Sequence, residues 1–155
     1  MRALLFAALL LLSPAMSPDA ALLFELADQS WTMNAEPVES PPLVGGGDDL
    51  LVALAFGSAG TRWSTTFHTD AATTWRLALD WELGPTGLLL EIMIDGEPLP
   101  PLRDLWRPSP RSQRADLGPR WLGAGEHLLE FIAREEPGGD EPGRVPVQRL
   151  ILERR

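Results

Sequence analysis

The sequence predicts an all-β antiparallel β-sandwich, and three observations predict it. From Thr73 to Leu83 (TTWRLALDWEL), Trp75, Leu77, Leu79, Trp81 and Leu83 take every second place, with Thr74, Arg76, Ala78, Asp80 and Glu82 between them. A period of two is that of a strand with one buried face. The 15 Pro and 14 Gly are spread along the chain and bracket short apolar runs, which suits many strands and turns better than long helices. Hydrophobic residues make up 45% of the chain and recur periodically, which argues against low-complexity disorder and for a packed core. At 155 residues the chain fits one domain and is too short for two ordinary ones.

Taken in order, the chain opens with Arg2 and an apolar run from Ala3 to Leu12. That run is about half of the roughly 20 residues a membrane-spanning helix needs, but it suits the core of a secretory signal peptide. Ser13-Pro14-Ala15 puts small residues at the −3 and −1 positions, so residues 1–15 are expected to be a signal peptide and 16–155 the sandwich domain. A buried N-terminal helix is the competing reading. Leu22 to Ala27 (LLFELA) is expected as a first strand, with Trp31 to Met33 continuing or pairing with it. Glu36 to Gly47 holds three prolines and three glycines and is expected as a long surface loop. Leu50 to Phe56 (LLVALAF) reads as a strand covered on both faces, with a short helix left open by its periodicity. Arg62 to Thr69 (RWSTTFHT) is rich in β-branched and aromatic residues and is expected as a strand with Trp63, Thr65 and Phe67 on one face.

After the Thr73 strand, Gly84-Pro85-Thr86-Gly87 supplies turn chemistry, and a second apolar run from Leu88 to Ile94 closes on the turn dipeptide Asp95-Gly96. The two runs are expected to pair as a central hairpin. Pro100 to Gln113, where prolines and arginines surround a single Trp, is expected as a second long loop. Glu126 to Arg134 alternates at Leu129, Phe131 and Ala133; its Glu, Leu and Ala favour helix, but the flanking glycines decide for strand. Glu135 to Gly143 is expected as a polar hairpin loop and Val145 to Leu152 as the last strand, giving roughly eight strands in all.

The formal charge of −9 makes nucleic acid and anionic membrane surfaces poor partners, since both are bound through basic patches. No Cys is present, so neither a disulfide framework nor a lipid-anchored cysteine is expected. With the signal removed, no membrane insertion is expected, and the address is periplasmic or secreted.

Three pieces line up with a known fold family, and the closing and opening strands fit it in place. Thr73 to Leu79 resembles the aromatic-x-aliphatic-x-aliphatic strand of galactose-binding-like jelly rolls, and Glu91 to Gly96 (EIMIDG) resembles their apolar-x-apolar-Asp-Gly hairpin. Leu122 to Phe131 (LGAGEHLLEF) is similar to their Gly-x-His-x-Leu segment, and Val147 to Leu152 to their closing strand. Leu23 to Ala27 sits where carbohydrate-binding module families 6 and 35 begin. The resemblance implies a non-catalytic jelly-roll module that binds glycans through aromatic loop residues. Those families often hold a structural calcium with two acids on the first strand and one near the last. Glu25 matches the first acid, Ala27 stands at the second, and Gln148 and Arg149 stand where the last would be, so no metal site and no cofactor are expected.

Six Trp invite a sugar-stacking reading, because an indole offers a flat apolar face to a pyranose ring and an N–H to a hydroxyl. Trp75, Trp81 and Trp63 fall on buried alternations and read as core. Trp106 lies in the aperiodic second loop and is the first candidate, with Arg103, Asp104 and Arg107 as hydrogen-bonding neighbours; the bland alternative is a plug over the core. Trp31 and Trp121, beside loops, come second. His127 reads as structural, and two isolated histidines without Cys make no zinc site. His68-Thr69-Asp70 with Ser64 or Ser58 lacks a nucleophile elbow, and Gly45-Gly46-Gly47 lacks the Lys of a phosphate loop. The expected function is non-catalytic binding of a glycan or cell-envelope carbohydrate. A protein-interaction or structural module of the envelope, with an envelope protein as partner, is the rival, and a small hydrolase or lyase comes third.

Overall fold

The computed structural model describes residues 20–45, 49–85, 88–105, 107–138 and 142–155. The proposed signal peptide and Trp106 lie outside the described residues. The rest forms thirteen strands: β1 (Leu22–Glu25), β2 (Trp31–Met33), β3 (Glu36–Val38), β4 (Leu43–Val44), β5 (Leu51–Phe56), β6 (Arg62–Thr69), β7 (Thr73–Leu83), β8 (Leu89–Ile94), β9 (Glu97–Pro98), β10 (Arg103–Asp104), β11 (Arg111–Leu122), β12 (Gly125–Ala133) and β13 (Gly143–Arg154). One antiparallel sheet runs β11-β7-β13-β5-β4 with β1 also on β13, and the other runs β10-β8-β12-β6-β2-β3 with β9 on β8. The two pack face to face as an all-β jelly-roll sandwich.

The alternation on β7 is the axis of the core. Trp75, Leu77, Leu79, Trp81 and Leu83 are all buried and share an apolar core cluster with Ile92, Leu129 and Phe131 of the other sheet. Trp31 and Trp63 meet edge to face at 6.2 Å, and each indole N–H donates to a backbone carbonyl, Leu26 at 3.0 Å and Ala55 at 2.8 Å. β12, for which helix competed, is a central strand between β6 and β8; burial of Leu129, Phe131 and Ala133 on both flanks overrides helix propensity.

Four expectations are corrected. β7 and β8 do not pair: they lie in opposite sheets. β12 and β13 likewise lie in opposite sheets and so do not pair as the expected hairpin. The physical reason is the same in both places, because period-two alternation reports which face is buried and is silent about which neighbour a strand bonds. Trp31–Met33 does not join β1, which lies on β13; it pairs with β3 and β6 in the other sheet. Finally, the two expected long loops contain the short strands β3, β4 and β10 at sheet edges, where Pro37 is tolerated because an edge strand leaves N–H positions unpaired. The Asp95-Gly96 turn is as expected: φ of +53° and +78° give a two-residue hairpin joining β8 to β9.

Candidate functional site

The site is built where β11, the edge strand of one sheet, passes the β8–β9 hairpin of the other. β11 begins with odd-numbered residues inward: Ala115 sits opposite Leu79 and is buried. Between Asp116 and Gly118 the register shifts by one residue, Gly118 adopts φ +83°, and the Gly118 N–H donates to the Asp116 carboxylate at 2.9 Å. An extra residue in a strand reverses the inward parity of everything after it. Leu122 is therefore buried, and Trp121, which an unbroken alternation would have sent to the core, stands outward with 66% of its surface exposed. A Cβ at Gly123 would lie 4.0 Å from Trp121 Cη2, so the indole leans over the β11–β12 turn.

Beneath that turn His127 is held from three sides. Its Nδ1 lies 2.7 Å from Asp95 Oδ2, its Nε2 lies 2.8 Å from the Gly123 carbonyl and 3.1 Å from Thr69 Oγ1, and its ring packs 5.4 Å from Phe67. Asp95 Oδ1 accepts from the Leu128 N–H at 2.8 Å, and the Thr69 hydroxyl donates to the Gly123 carbonyl at 2.6 Å. The result ties the Asp95-Gly96 hairpin to the turn under Trp121. Thr, His and Asp stand in the order of a nucleophile relay, but Thr69 is 0% exposed and its proton is spent on a carbonyl, so no substrate reaches it. The group works as a scaffold. Elsewhere, the Asp70 carboxylate is taken by Arg154, which leaves His68 without that acid.

Between Trp121 and the hairpin opens a cleft of about 520 Å³ lined by Asp95, Glu97, Arg120, Trp121 and His127. Arg120 donates to Glu97 at 2.7 Å across it, and Glu97 keeps 75% of its side chain exposed. The cleft thus offers one exposed aromatic face with carboxylate acceptors and a guanidinium donor at its flank.

The sequence candidates scatter. Trp31 is 1% exposed in the core, both faces covered, and its proximity to a loop in sequence misled because its chain position is the buried start of β2. Arg103 reaches from β10 to the Asp116 carbonyl at 3.3 Å and so bridges two sheet edges. Asp104 is exposed on β10, and the Arg107 N–H donates to the Gly84 carbonyl at 2.9 Å. None of the three lines the Trp121 cleft. Asp95, Glu97 and Arg120 were not singled out from sequence. The Asp-Gly turn and the parity switch in β11 mark the two segments that carry them, but their meeting across the two sheets has no local signal in the sequence.

The donor set for the calcium of the resembled modules is not assembled. Glu25 is paired to Arg149, Ala27 packs against the core, and among the described residues no group of three or more His, Cys, Asp or Glu is placed to hold a metal ion. No described helix is long and apolar enough to cross a membrane.

No family model and no curated protein matches the chain. Among solved structures, it superposes on a Paenibacillus xanthan lyase with a TM-score of 0.72 at 12% identity, over 92% of this chain but only 14% of that one. It superposes on a family 35 carbohydrate binding module from an environmental isolate with a TM-score of 0.55 at 14% identity, over 84% of this chain and 91% of that one. For a family 35 module from Clostridium thermocellum the TM-score is 0.54 at 11% identity, over 85% and 98%. This chain therefore has the galactose-binding-like jelly-roll fold that those modules have.

Proposed function

We propose that this chain is a non-catalytic glycan-binding module that takes a neutral, hydroxyl-rich sugar in the Trp121 cleft. The observation that carries the reading is Trp121 itself: a 66%-exposed indole on a rigid strand, placed there by a bulge, at the mouth of a cleft with polar groups. Stacking supplies the apolar contact, while Asp95 and Glu97 accept from hydroxyls and Arg120 donates to one. Two carboxylates against a single guanidinium, in a chain of net charge −9, disfavour uronate or sulfate groups at this place. The fold shared with family 35 modules supports the reading, as does the burial of the Thr69 hydroxyl against a catalytic one. Residues 1–15 act as a signal peptide in this proposal, and the module works in the periplasm or outside the cell. Trp106 with Arg103, Asp104 and Arg107 forms the second place to test.

Tryptophan emission titrated with a panel of neutral and acidic glycans tests this. A neutral glycan is expected to shift the emission of the native chain and of Trp106→Ala but not of Trp121→Ala, with stacking worth about 1 kcal/mol or more, a five- to tenfold or larger loss of affinity. If Trp106→Ala alone removes the response, the site moves to the second loop. If no glycan perturbs the native chain, the envelope-protein reading replaces this one.

A further inference from the structure

We infer that the guanidinium of Arg149 takes the place that a structural calcium ion holds in the modules this chain resembles, so that its first and last strands are closed by an internal cation and its stability owes nothing to a metal. The inference is independent of what the Trp121 cleft binds.

In β13, Val145 and Val147 face inward, and then Leu150 and Leu152 do; the switch falls at a register shift between Val147 and Arg149 against β7. Without that shift Arg149 would point into an apolar core at a prohibitive cost. With it, Arg149 faces outward, in register with Glu25 of β1, and its Nε donates to Glu25 Oε1 at 2.5 Å. The pair joins residues 124 apart in sequence, and both side chains are partly shielded. The Gln29 amide then donates to the Glu25 carbonyl at 3.2 Å, so the start of the domain is gathered around this acid.

The surrounding residues fit a guanidinium and do not fit calcium. Ca²⁺ asks for six to eight oxygens, several of them carboxylate. Here Ala27 offers a methyl group to the core where a second acid is expected, Gln148 turns its amide toward Asp49, and a fixed positive charge already occupies the remaining carboxylate. One acid is left and one guanidinium balances it. A divalent ion approaching Glu25 meets Arg149 first and is repelled.

Thermal unfolding of the full chain tests this. The native chain is expected to melt at the same temperature in excess EDTA and in excess CaCl₂. Arg149→Met is expected to lower Tm by roughly 2–4 °C, as loss of a part-shielded pair does in a domain of this size, and Arg149→Lys to lower it less. Arg149→Asp, which places an acid opposite Glu25, is expected to lose more than Arg149→Met, because two like charges then face each other with no cation between them. A native Tm that falls in EDTA or rises with calcium overturns the inference. So does an Arg149→Met Tm equal to the native one, or an Arg149→Asp Tm no lower than that of Arg149→Met.

Discussion

Trp75 and Trp121 sit on neighbouring strands one step apart, for Trp75 is in register with Arg120 and Trp121 with Thr74. Yet Trp75 is 0% exposed and Trp121 is 66% exposed. Hydrophobicity does not separate two identical side chains; parity does. β7 keeps its alternation over its whole length, so its indoles line the core, whereas β11 loses one step at Gly118 and turns its indole out. The buried Trp serves stability and the exposed one is free to serve binding.

The largest effect expected from breaking this contrast is on stability. Trp75→Ala should cost about 3–5 kcal/mol, since a large ring is removed from a packed centre that relaxes only in part. Trp121→Ala should stay within about 0.5 kcal/mol of native, as surface changes do. Urea denaturation of the two variants side by side checks both, and comparable losses would show that Trp121 also belongs to the core. Glycan response should rank them the other way, lost with Trp121 and kept by whatever fraction of Trp75→Ala remains folded.

A second test removes the bulge. Gly118→Val keeps the chain length but disfavours the φ of +83° that the bulge uses; an unbroken period of two then turns Trp121 inward and Arg120 outward at that end of β11. Overpacking of this kind costs about 1–3 kcal/mol. Acrylamide quenching should fall relative to the native chain as the exposed indole is buried, whereas deletion of Gly118, which removes the extra residue itself, should leave Trp121 outward and as readily quenched as in the native chain. Quenching of Gly118→Val as strong as in the native chain would mean that β11–β12 turn geometry, and not the bulge, sets the direction of Trp121.

The same bulges mark the line between what the sequence discloses and what it hides. β6, β7 and β12 are legible because their inward residues keep one parity from end to end. Sheet membership of β7 and β8 is not, since a strand's apolar face looks alike in either layer and the choice is made by pairing partners far along the chain. Trp121 could have been read as outward by following Ala115 and Leu117 to Leu122, where inward positions pass from odd to even, and Arg149 by following Val145 and Val147 to Leu150 and Leu152. Trp31 misleads for the opposite reason: its burial comes from Trp63 and Phe131, residues distant in sequence. The cleft residues Asp95, Glu97 and Arg120 come together only through contact between the edges of two sheets, which no local pattern encodes.

The smallest effect concerns the carboxylate that holds the bulge. Asp116 accepts from Arg76 Nη2 at 2.7 Å and from the Gly118 N–H at 2.9 Å, and these hydrogen bonds, that of Arg76 first, hold its carboxyl below the usual aspartate range. A carboxyl depressed by folding contributes stability above its unfolded pKa and loses it as pH falls through the folded one. Acidification from neutral to below about pH 4 should therefore loosen the Gly118 amide before the sandwich unfolds, raising its hydrogen exchange relative to neighbouring β11 amides once intrinsic pH effects are removed. Because the pair is solvent-exposed, global stability should change little. Asp116→Asn keeps an acceptor for Gly118 but discards the charge, so its Gly118 exchange should no longer respond to acid in this range. An acid response that survives in Asp116→Asn would assign the effect to another carboxylate and leave the bulge secured by backbone geometry alone.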